Sequence, residues 1–201
     1  MRITYWKHSG FSIGTDSLVI LVDYIGGGFM PDGRHVLALT SHAHGDHRRP
    51  ELTAFADDKL DCPGEGLDMR LMGARIRTFG STDEGVSFLI ELDSRRIFHA
   101  GDLNLWHWKD EDDADWTRQA YADFERVLDS LAGERIDIAM FPVDPRQGSD
   151  YDEGARMFLK RIKPGILIPM HFWEHPEAAE EFARQNANVR VLTESGAYVE
   201  I

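Results

Sequence analysis

A run of three histidines and one aspartate directly after a short apolar segment constrains the fold more than any other feature of the sequence. Residues 36–40 read Val-Leu-Ala-Leu-Thr, which predicts a buried strand, and the run itself follows with His42, His44, Asp46 and His47. Imidazole nitrogens and carboxylate oxygens are ligands of zinc, iron and manganese. Because a loop that leaves a strand end can turn alternate side chains toward two adjacent metals, the run predicts a metal site at one edge of a β-sheet.

Length and charge indicate one globular domain and argue against nucleic acid as its partner. The chain has 201 residues, 42% of them hydrophobic and 28% charged, and we expect a single domain over residues 1–201. Acidic residues number 35 against 22 basic ones, and the net charge of −13 repels the phosphate backbone of nucleic acids. We therefore expect no long nucleic acid as partner. The sequence does not indicate the oligomeric state.

Cysteine content and the absence of long apolar segments bear on location. Cys62 is the single cysteine, which excludes an internal disulfide. No apolar stretch approaches the roughly 20 residues that a membrane helix needs, and the N-terminus does not have the pattern of a signal peptide. These features favour the cytoplasm and no membrane partner.

Strand patterns fill the first half of the chain, and helices alternate with strands in the second half. Apolar or alternating segments predict strands at residues 3–8, 11–14, 18–23, 36–40, 74–78, 86–92, 95–99, 136–141, 166–169, 189–192 and 197–201. Helices are predicted over 51–58, from a cap at 115 to a stop at 133, and over 152–162 and 176–186. This order predicts an α/β or α+β fold with layers packed around a sheet core.

The histidine run resembles the His-x-His-x-Asp-His signature of the metallo-β-lactamase fold superfamily. Similar matches continue at residues 99–102 (His-Ala-Gly-Asp) and 168–171 (Ile-Pro-Met-His), so that the resemblance covers nearly the whole chain. Residues 6–11 (Trp-Lys-His-Ser-Gly-Phe) are similar to the branch that includes the L-ascorbate-6-phosphate lactonases. The resemblance implies a four-layer αββα sandwich with metals at one end of two facing sheets.

The same resemblance implies a set of metal ligands, residue by residue. A first metal would be held by His42 and His44. A second metal would be held by Asp46, His47 and His171, and Asp102 would lie between the two metals. The implied cofactor is zinc, one or two ions per chain, with manganese or iron as alternatives.

One ligand of the superfamily is missing. Residues 80–85 read Gly-Ser-Thr-Asp-Glu-Gly, so Ser81 stands where a histidine usually follows the glycine. A hydroxyl is a weak ligand beside an imidazole, and three outcomes are open. Asp83 could supply an oxygen, His107 could supply a nitrogen, or the first site could be weak or empty.

Other residues near the motifs are candidates for substrate binding or for structural roles. Trp106 and Trp108 could line a pocket, and Arg146 would be explained by an anionic substrate group. His8 is interpreted as a hydrogen-bonded structural group and His99 as a residue that orients a ligand.

The chemistry expected of such a site is hydrolysis. A bound divalent ion lowers the pKa of its water toward about 7, and the resulting hydroxide is a nucleophile at neutral pH, with Asp46 placed to ligate the metal and to hold the proton of the water. The resemblance implies an ester, lactone, amide or phosphodiester bond in a small molecule. The alternatives are a phosphodiesterase that acts on short nucleotides, and a non-catalytic metal- or ligand-binding protein, which the serine at position 81 would explain.

Overall fold

The computed structural model describes residues 1–108 and 111–201, and it contains two six-stranded β-sheets and three α-helices in those residues. The strands, in chain order, are β1 Arg2–Lys7, β2 Gly10–Gly14, β3 Leu18–Val22, β4 His35–Thr40, β5 Asp58–Asp61, β6 Asp68–Leu71, β7 Ala74–Phe79, β8 Ser87–Leu92, β9 Arg95–His99, β10 Ile138–Pro142, β11 Ile166–Met170 and β12 Tyr198–Glu200. The helices are α1 Ala114–Ser130, α2 Glu153–Ile162 and α3 Pro176–Gln185, with 3-10 turns at Pro50–Thr53 and Pro145–Asp150.

The two sheets have matching layouts. The strand order is β12-β1-β2-β3-β4-β5 in the first sheet and β11-β10-β9-β8-β7-β6 in the second. Strands β3, β4 and β5 are parallel, and so are β9, β10 and β11, whereas the other neighbours pair antiparallel. Parallel strands end at the same edge of a sheet, so several loops of each sheet emerge together.

These strand ends place the motif residues at one end of the sandwich. The run of histidines leaves β4, and later loops leave β9, β10 and β11 at the corresponding edge of the second sheet. Because β2 is antiparallel to β3, with Phe11 opposite Val22, the β1–β2 turn also reaches this edge. The side chains that follow the strand ends are His8, Asp23, His42, Asp102, Asp144 and His171.

A continuous apolar core fills the sandwich and extends under the helices. The strands contribute fully buried side chains such as Phe11, Phe88 and Ile90. Helix α2 packs on the second sheet through Phe158, whose ring centroid lies 4.5 Å from that of Phe141 and 5.4 Å from that of Phe98. Removal of this apolar surface from water is the main force that holds the layers together.

The predicted layered fold is confirmed, and the differences lie in short peripheral segments. The helix predicted over 51–58 is wrong: it is reduced to the 3-10 turn Pro50–Thr53, which buries no residue, and the chain then forms β5. The strand predicted over 189–192 is reduced to one bridge between Val189 and Leu167. Strands β5 and β6 were not predicted because both are short, polar edge strands, a composition that protects sheet edges from further pairing.

Helix α1 begins slightly earlier than predicted. Its cap is Asp113 rather than Asp115, since the Asp113 carboxylate accepts hydrogen bonds from the backbone N–H groups of Asp115 and Trp116. No helix in residues 1–108 or 111–201 has the length and apolar character needed to cross a membrane.

Candidate metal centre

Asp102 lies at the centre of the histidines at this end of the sandwich. Its Oδ2 atom is 3.3 Å from Nε2 of His42, and its Oδ1 atom is 2.9 Å from Nε2 of His47 and 3.4 Å from Nε2 of His171. All four side chains are almost fully buried. The carboxylate therefore contacts histidines that the resemblance assigned to both metals.

The buried polar atoms of this cluster face one another without well-aligned hydrogen bonds. Nε2 of His42, His47 and His171 and Oδ1 of Asp102 have no hydrogen-bond partner of good geometry in the described chain, even where Nε2 of His47 lies 2.9 Å from Oδ1 of Asp102. A buried polar atom left in this state costs about 1–3 kcal/mol. Two ligands of a tetrahedral metal with bonds of about 2.0 Å lie about 3.3 Å apart, close to the distances around Asp102. The residues present therefore fit a divalent cation.

Hydrogen bonds to the opposite ring nitrogens orient three of these histidines. Nδ1 of His47 lies 2.8 Å from Asp23 Oδ2, and Nδ1 of His171 lies 2.9 Å from Asp144 Oδ2. The Ser41 hydroxyl donates to Asp23, so it accepts from Nδ1 of His42 at 2.9 Å. With Nδ1 as the donor in each case, Nε2 faces the centre, where a metal can bind it in place of a proton.

The charges of the cluster are strongly coupled. Burial opposes ionisation of Asp102, but the adjacent histidines, His171 first, hold the pKa of its carboxyl below the ordinary value. Burial also opposes the charged form of His47, but the carboxylates of Asp23 and Asp102 raise the pKa of this ring to about 10. A metal bound at Nε2 would take the place of this proton, which couples metal affinity to pH.

Two glycines allow the loops to approach each other. Gly85 has φ +74°, and a Cβ atom there would lie 2.5 Å from His42 Cβ and still closer to the carbonyl oxygen of Ser41. Gly101 has φ +57°, and its Cβ would lie 2.6 Å from the carbonyl oxygen of Val86. Only glycine combines a positive φ with the absence of a Cβ atom. Gly85 therefore allows the close approach beside His42, and Gly101 allows the one directly before Asp102.

Asp83 lies with the side chains assigned to the first metal. His44, Asp83 and Asp102 have ligand atoms within 4.8 Å of one another, and His44 and Asp83 are exposed. Ser81, which replaces the usual histidine, instead accepts a hydrogen bond from the backbone N–H of Asp83 at 3.3 Å. Of the open alternatives for the missing ligand, Asp83 is therefore placed beside the first position.

His107 lies in a different cluster. Its neighbours are Asp150 and Glu153, and its Nε2 atom is 3.4 Å from Glu153 Oε2. The ring is buried, and its centroid lies 5.4 Å from that of Tyr121 on α1, so it is not grouped with His42 or His44. The structure does not bring this second alternative ligand to the first position.

The two histidines interpreted as structural groups have different positions. Nε2 of His99 donates to the carbonyl oxygen of Ser9 at 2.8 Å, and its Nδ1 accepts from the N–H of Gly101 at 3.1 Å, so this ring ties the β1–β2 turn to the loop of Asp102. His8, in contrast, belongs to a group with Asp46, His47 and His171 whose ligand atoms lie within 4.8 Å of one another. Burial, together with His171 and His47, lowers the pKa of His8 to about 2, so the ring is neutral.

Sequence reasoning therefore missed a histidine at the site, together with the carboxylate of Asp144. A lone histidine in a turn carries no metal-binding spacing, and only the pairing of β1, β2 and β3 brings it to this edge. Asp144 lies two residues after the end of β10, and His171 directly follows the end of the neighbouring strand β11. Carboxylates within two residues of the ends of parallel strands are the signal that could have found it.

A cavity of about 520 Å³ opens beside the cluster. The predicted pocket residues Trp106, Trp108 and Arg146 all line it, as do His44, Asp46, Asp83, Asp102, Trp116, Asp123 and His171. The rings of Trp106 and Trp108 are nearly parallel, at 17° with centroids 6.3 Å apart. Their indole N–H groups donate to the carbonyl oxygens of Asp102 and Arg146, which fixes an aromatic wall above the metal ligands.

The arginines near the site already have acidic partners. Arg146 donates to both carboxylate oxygens of Asp144, and its guanidinium lies 4.5 Å above the ring of Trp173. Arg48 is paired in the same way with Asp61. Both guanidinium groups are therefore paired with a carboxylate, while the side chain of Arg146 stays 51% exposed and lines the cavity.

Comparison with known proteins supports the same family of folds. No family model matches the chain. A UPF0173 metal-dependent hydrolase of Heliobacterium modesticaldum is 24% identical over an alignment of 239 positions, gaps included. The alignment covers 99% of this chain and 94% of the relative.

Two solved structures extend the likeness to the fold. Igni18, a metallo hydrolase from the archaeon Ignicoccus hospitalis, superimposes with a TM-score of 0.67 at 19% identity, over 100% of this chain and 98% of its own. The metallo-beta-lactamase fold protein YhfI from Bacillus subtilis gives a TM-score of 0.66 at 14% identity, over 99% of each chain. Together with the two sheets, these likenesses confirm the predicted superfamily resemblance and agree with the predicted enzyme class: the chain has the metallo-β-lactamase fold and is similar throughout to proteins named metal-dependent hydrolases.

Proposed function

We propose that this protein is a metal-dependent hydrolase, with zinc as its metal, that cleaves an ester, lactone or amide bond in a small molecule with an aromatic or apolar group. The observation that carries the proposal is the buried cluster of unpartnered histidine nitrogens around Asp102, which opens into a cavity with a tryptophan wall. We further propose that the substrate is free in the cytoplasm.

The residues that would hold the metal are assigned to two adjacent positions on the basis of the resemblance. We assign His42, His44 and Asp102, with Asp83 nearby, to the first position, and Asp46, His47 and His171 to the second, with Asp102 shared. The ligand atoms of His42, His47 and Asp102 also lie within 4.8 Å of one another, so the two positions are contiguous. A divalent cation held there supplies a nucleophile at neutral pH by lowering the pKa of a water molecule, and it polarises the bond to be cleaved.

The chain itself positions the reactants. Asp46 lines the cavity, and its side chain is 36% exposed there, so its carboxylate can accept a proton from an attacking water. The parallel rings of Trp106 and Trp108 offer flat apolar surface to the part of the substrate away from the cleaved bond. Binding by this wall would hold the substrate in a fixed orientation against the nucleophile.

The side chains of the cavity favour a substrate with an aromatic or apolar group. In the described part of the chain, the lining includes four carboxylates, and the metal would neutralise three of them, Asp46, Asp83 and Asp102. The arginine of this lining is paired with Asp144, whereas Trp106 and Trp108 offer apolar surface. We therefore propose a carbonyl substrate ahead of the short nucleotides considered from the sequence.

A substrate panel tests the proposal. Metal-depleted and zinc-reloaded protein would be assayed on p-nitrophenyl acetate, p-nitrophenyl phenylacetate, an aryl lactone and bis-p-nitrophenyl phosphate. We expect zinc-dependent hydrolysis of the carbonyl substrates, with p-nitrophenyl phenylacetate preferred over p-nitrophenyl acetate because its acyl group is aromatic. Trp108→Ala should raise KM for the phenylacetate more than for the acetate. Tyr198→Ala, at an exposed aromatic residue on β12, should change neither KM.

The outcomes separate the alternatives. Faster hydrolysis of the phosphodiester would support the phosphodiesterase alternative, and zinc binding without hydrolysis of any substrate would support a non-catalytic binding protein. Either result would contradict the substrate class proposed here.

A further inference from the structure

We propose that His8 is a protein ligand of the second metal position, where its imidazole joins Asp46, His47 and His171. The inference rests on the proposed metal centre and adds a residue to it. The sequence indicated only a structural role for this histidine.

The distances around His8 match those between ligands of one ion. Nε2 of His8 lies 3.6 Å from Oδ2 of Asp46, too far for a hydrogen bond but close to the spacing of about 3.3 Å between two ligands of a tetrahedral metal. The His8 ring centroid lies 4.0 Å from that of His171 and 5.5 Å from that of His47. One ion can therefore reach all four side chains with small adjustments.

The free nitrogen of His8 faces the cluster. The side chain is 5% exposed, and Nε2 is buried without a hydrogen-bond partner in the described chain. A purely structural histidine would satisfy such an atom, as His99 does with both of its ring nitrogens. A metal ion is the partner that Nε2 of His8 lacks.

The backbone of the β1–β2 turn fixes the position of His8. The residue has φ +56°, the left-handed conformation that tight hairpin turns use. Its carbonyl oxygen accepts a hydrogen bond from the N–H of His171 at 3.3 Å, and the next carbonyl, of Ser9, is held by His99. The β1–β2 turn is thus attached on both sides to loops that carry metal ligands.

The assignment of His8 changes the number of imidazole ligands at each metal position. The superfamily resemblance implies five histidine ligands, and the chain has four of them because Ser81 replaces one. His8 restores the fifth imidazole, but at the second position instead of the first. The second position then has three imidazoles and Asp46, whereas the first has two imidazoles and carboxylate oxygens. We therefore expect zinc to fill the second position first.

Nuclear magnetic resonance of the histidine rings tests the assignment in the wild-type protein. Metal-depleted protein labelled with ¹⁵N-histidine would be titrated with zinc, and two-bond ¹H–¹⁵N spectra would follow each ring nitrogen. We expect Nε2 of His8 to acquire the shift of a metal-bound nitrogen during the first equivalent, together with Nε2 of His47 and His171.

The alternative results have distinct meanings. If the nitrogens of His47 and His171 respond while Nε2 of His8 keeps the shift of an unbound or protonated nitrogen, His8 is not a ligand and the inference fails alone. If no histidine responds, the proposed metal centre fails as well.

A substitution provides a second measurement. Asparagine tolerates the left-handed backbone of residue 8, so His8→Asn should keep the fold while removing the ligand. We expect zinc affinity at the first equivalent to fall at least tenfold by competition with a chelator, with an unchanged far-ultraviolet circular dichroism spectrum. His175→Asn, at an exposed histidine beside α3, is the matched control. Equal affinities of both variants would overturn the assignment.

Discussion

The carboxylate of Asp144 lies 2.9 Å from Nδ1 of His171, and this contact turns Nε2 of the same ring toward Asp102. Asp144 is fully buried and is also held by the guanidinium of Arg146. Burial opposes its ionisation, but the hydrogen bonds from His171 and Arg146 hold the pKa of the Asp144 carboxyl well below the ordinary value. A residue outside the predicted ligand set therefore determines the orientation of a predicted ligand.

Loss of this carboxylate should weaken metal binding. We expect Asp144→Asn to lower zinc affinity about 10- to 100-fold, because a neutral amide orients and polarises His171 less well. Chelator competition measures the change. Asp32→Asn is the control, since Asp32 makes the same kind of contact to an arginine two residues later, Arg34, on the surface. Similar affinities of the two variants would show that the contact has no role in metal binding.

The close approach at Gly85 should be sensitive to a single methyl group. Gly85→Ala places a Cβ against Ser41 and His42 at a positive φ, and we expect it to lower the free energy of unfolding by about 2 kcal/mol or more. It should also weaken zinc binding, because His42 must move. Urea denaturation and zinc titration measure the two effects. At Gly64 a Cβ would meet no atom within 4 Å, and an alanine there that proved equally harmful would refute the steric explanation.

A salt bridge remote from the site predicts how stability depends on pH. Arg77 donates to both oxygens of Glu134, at 2.8 and 2.7 Å, and holds the pKa of the Glu134 carboxyl below its ordinary value. Because the folded pKa is depressed, the stabilisation is present above the unfolded pKa of about 4.3 and is lost as pH falls through the folded pKa. Arg77→Met should therefore cost more stability at pH 7 than at pH 3.

Denaturation of the metal-free protein at the two pH values checks this expectation. Arg118→Met, at a largely exposed pair with Asp115 on α1, is the control and should show little change at either pH. A cost of Arg77→Met that is independent of pH would assign it to lost packing of the side chain instead of to the ion pair.

Features that are local in the chain were predictable from the sequence. The strand 36–40 and the histidine run after it are contiguous, and helix α1 follows from apolar residues at helical spacing, of which Phe124, Val127 and Leu128 are buried. Asp102 and His171 are single residues, and the superfamily resemblance was needed to connect them with the run. Their ligand roles stay predictions until a metal is measured.

Features that depend on which strands become neighbours were not predictable. His8 reaches the site because β2 pairs antiparallel with β3, and Asp144 reaches His171 because β10 and β11 are parallel neighbours. The helix predicted over 51–58 is absent because its apolar residues Leu52 and Phe55 stay exposed and no buried face stabilises more than a 3-10 turn; the chain then enters the edge strand β5. The pairing of strands in the fold, and not the local sequence preference, determined the structure at these residues.

The rate of aryl ester hydrolysis, followed as zinc is added to metal-depleted protein, tests the central claim most directly. A catalytic metal centre around Asp102 predicts a rate at background without metal, which rises with zinc and saturates at one or two equivalents per chain. His171→Ala should keep the rate at background over the same range, because it removes a ligand of the second position. A rate that is independent of added zinc, at any level of hydrolysis, would contradict the account.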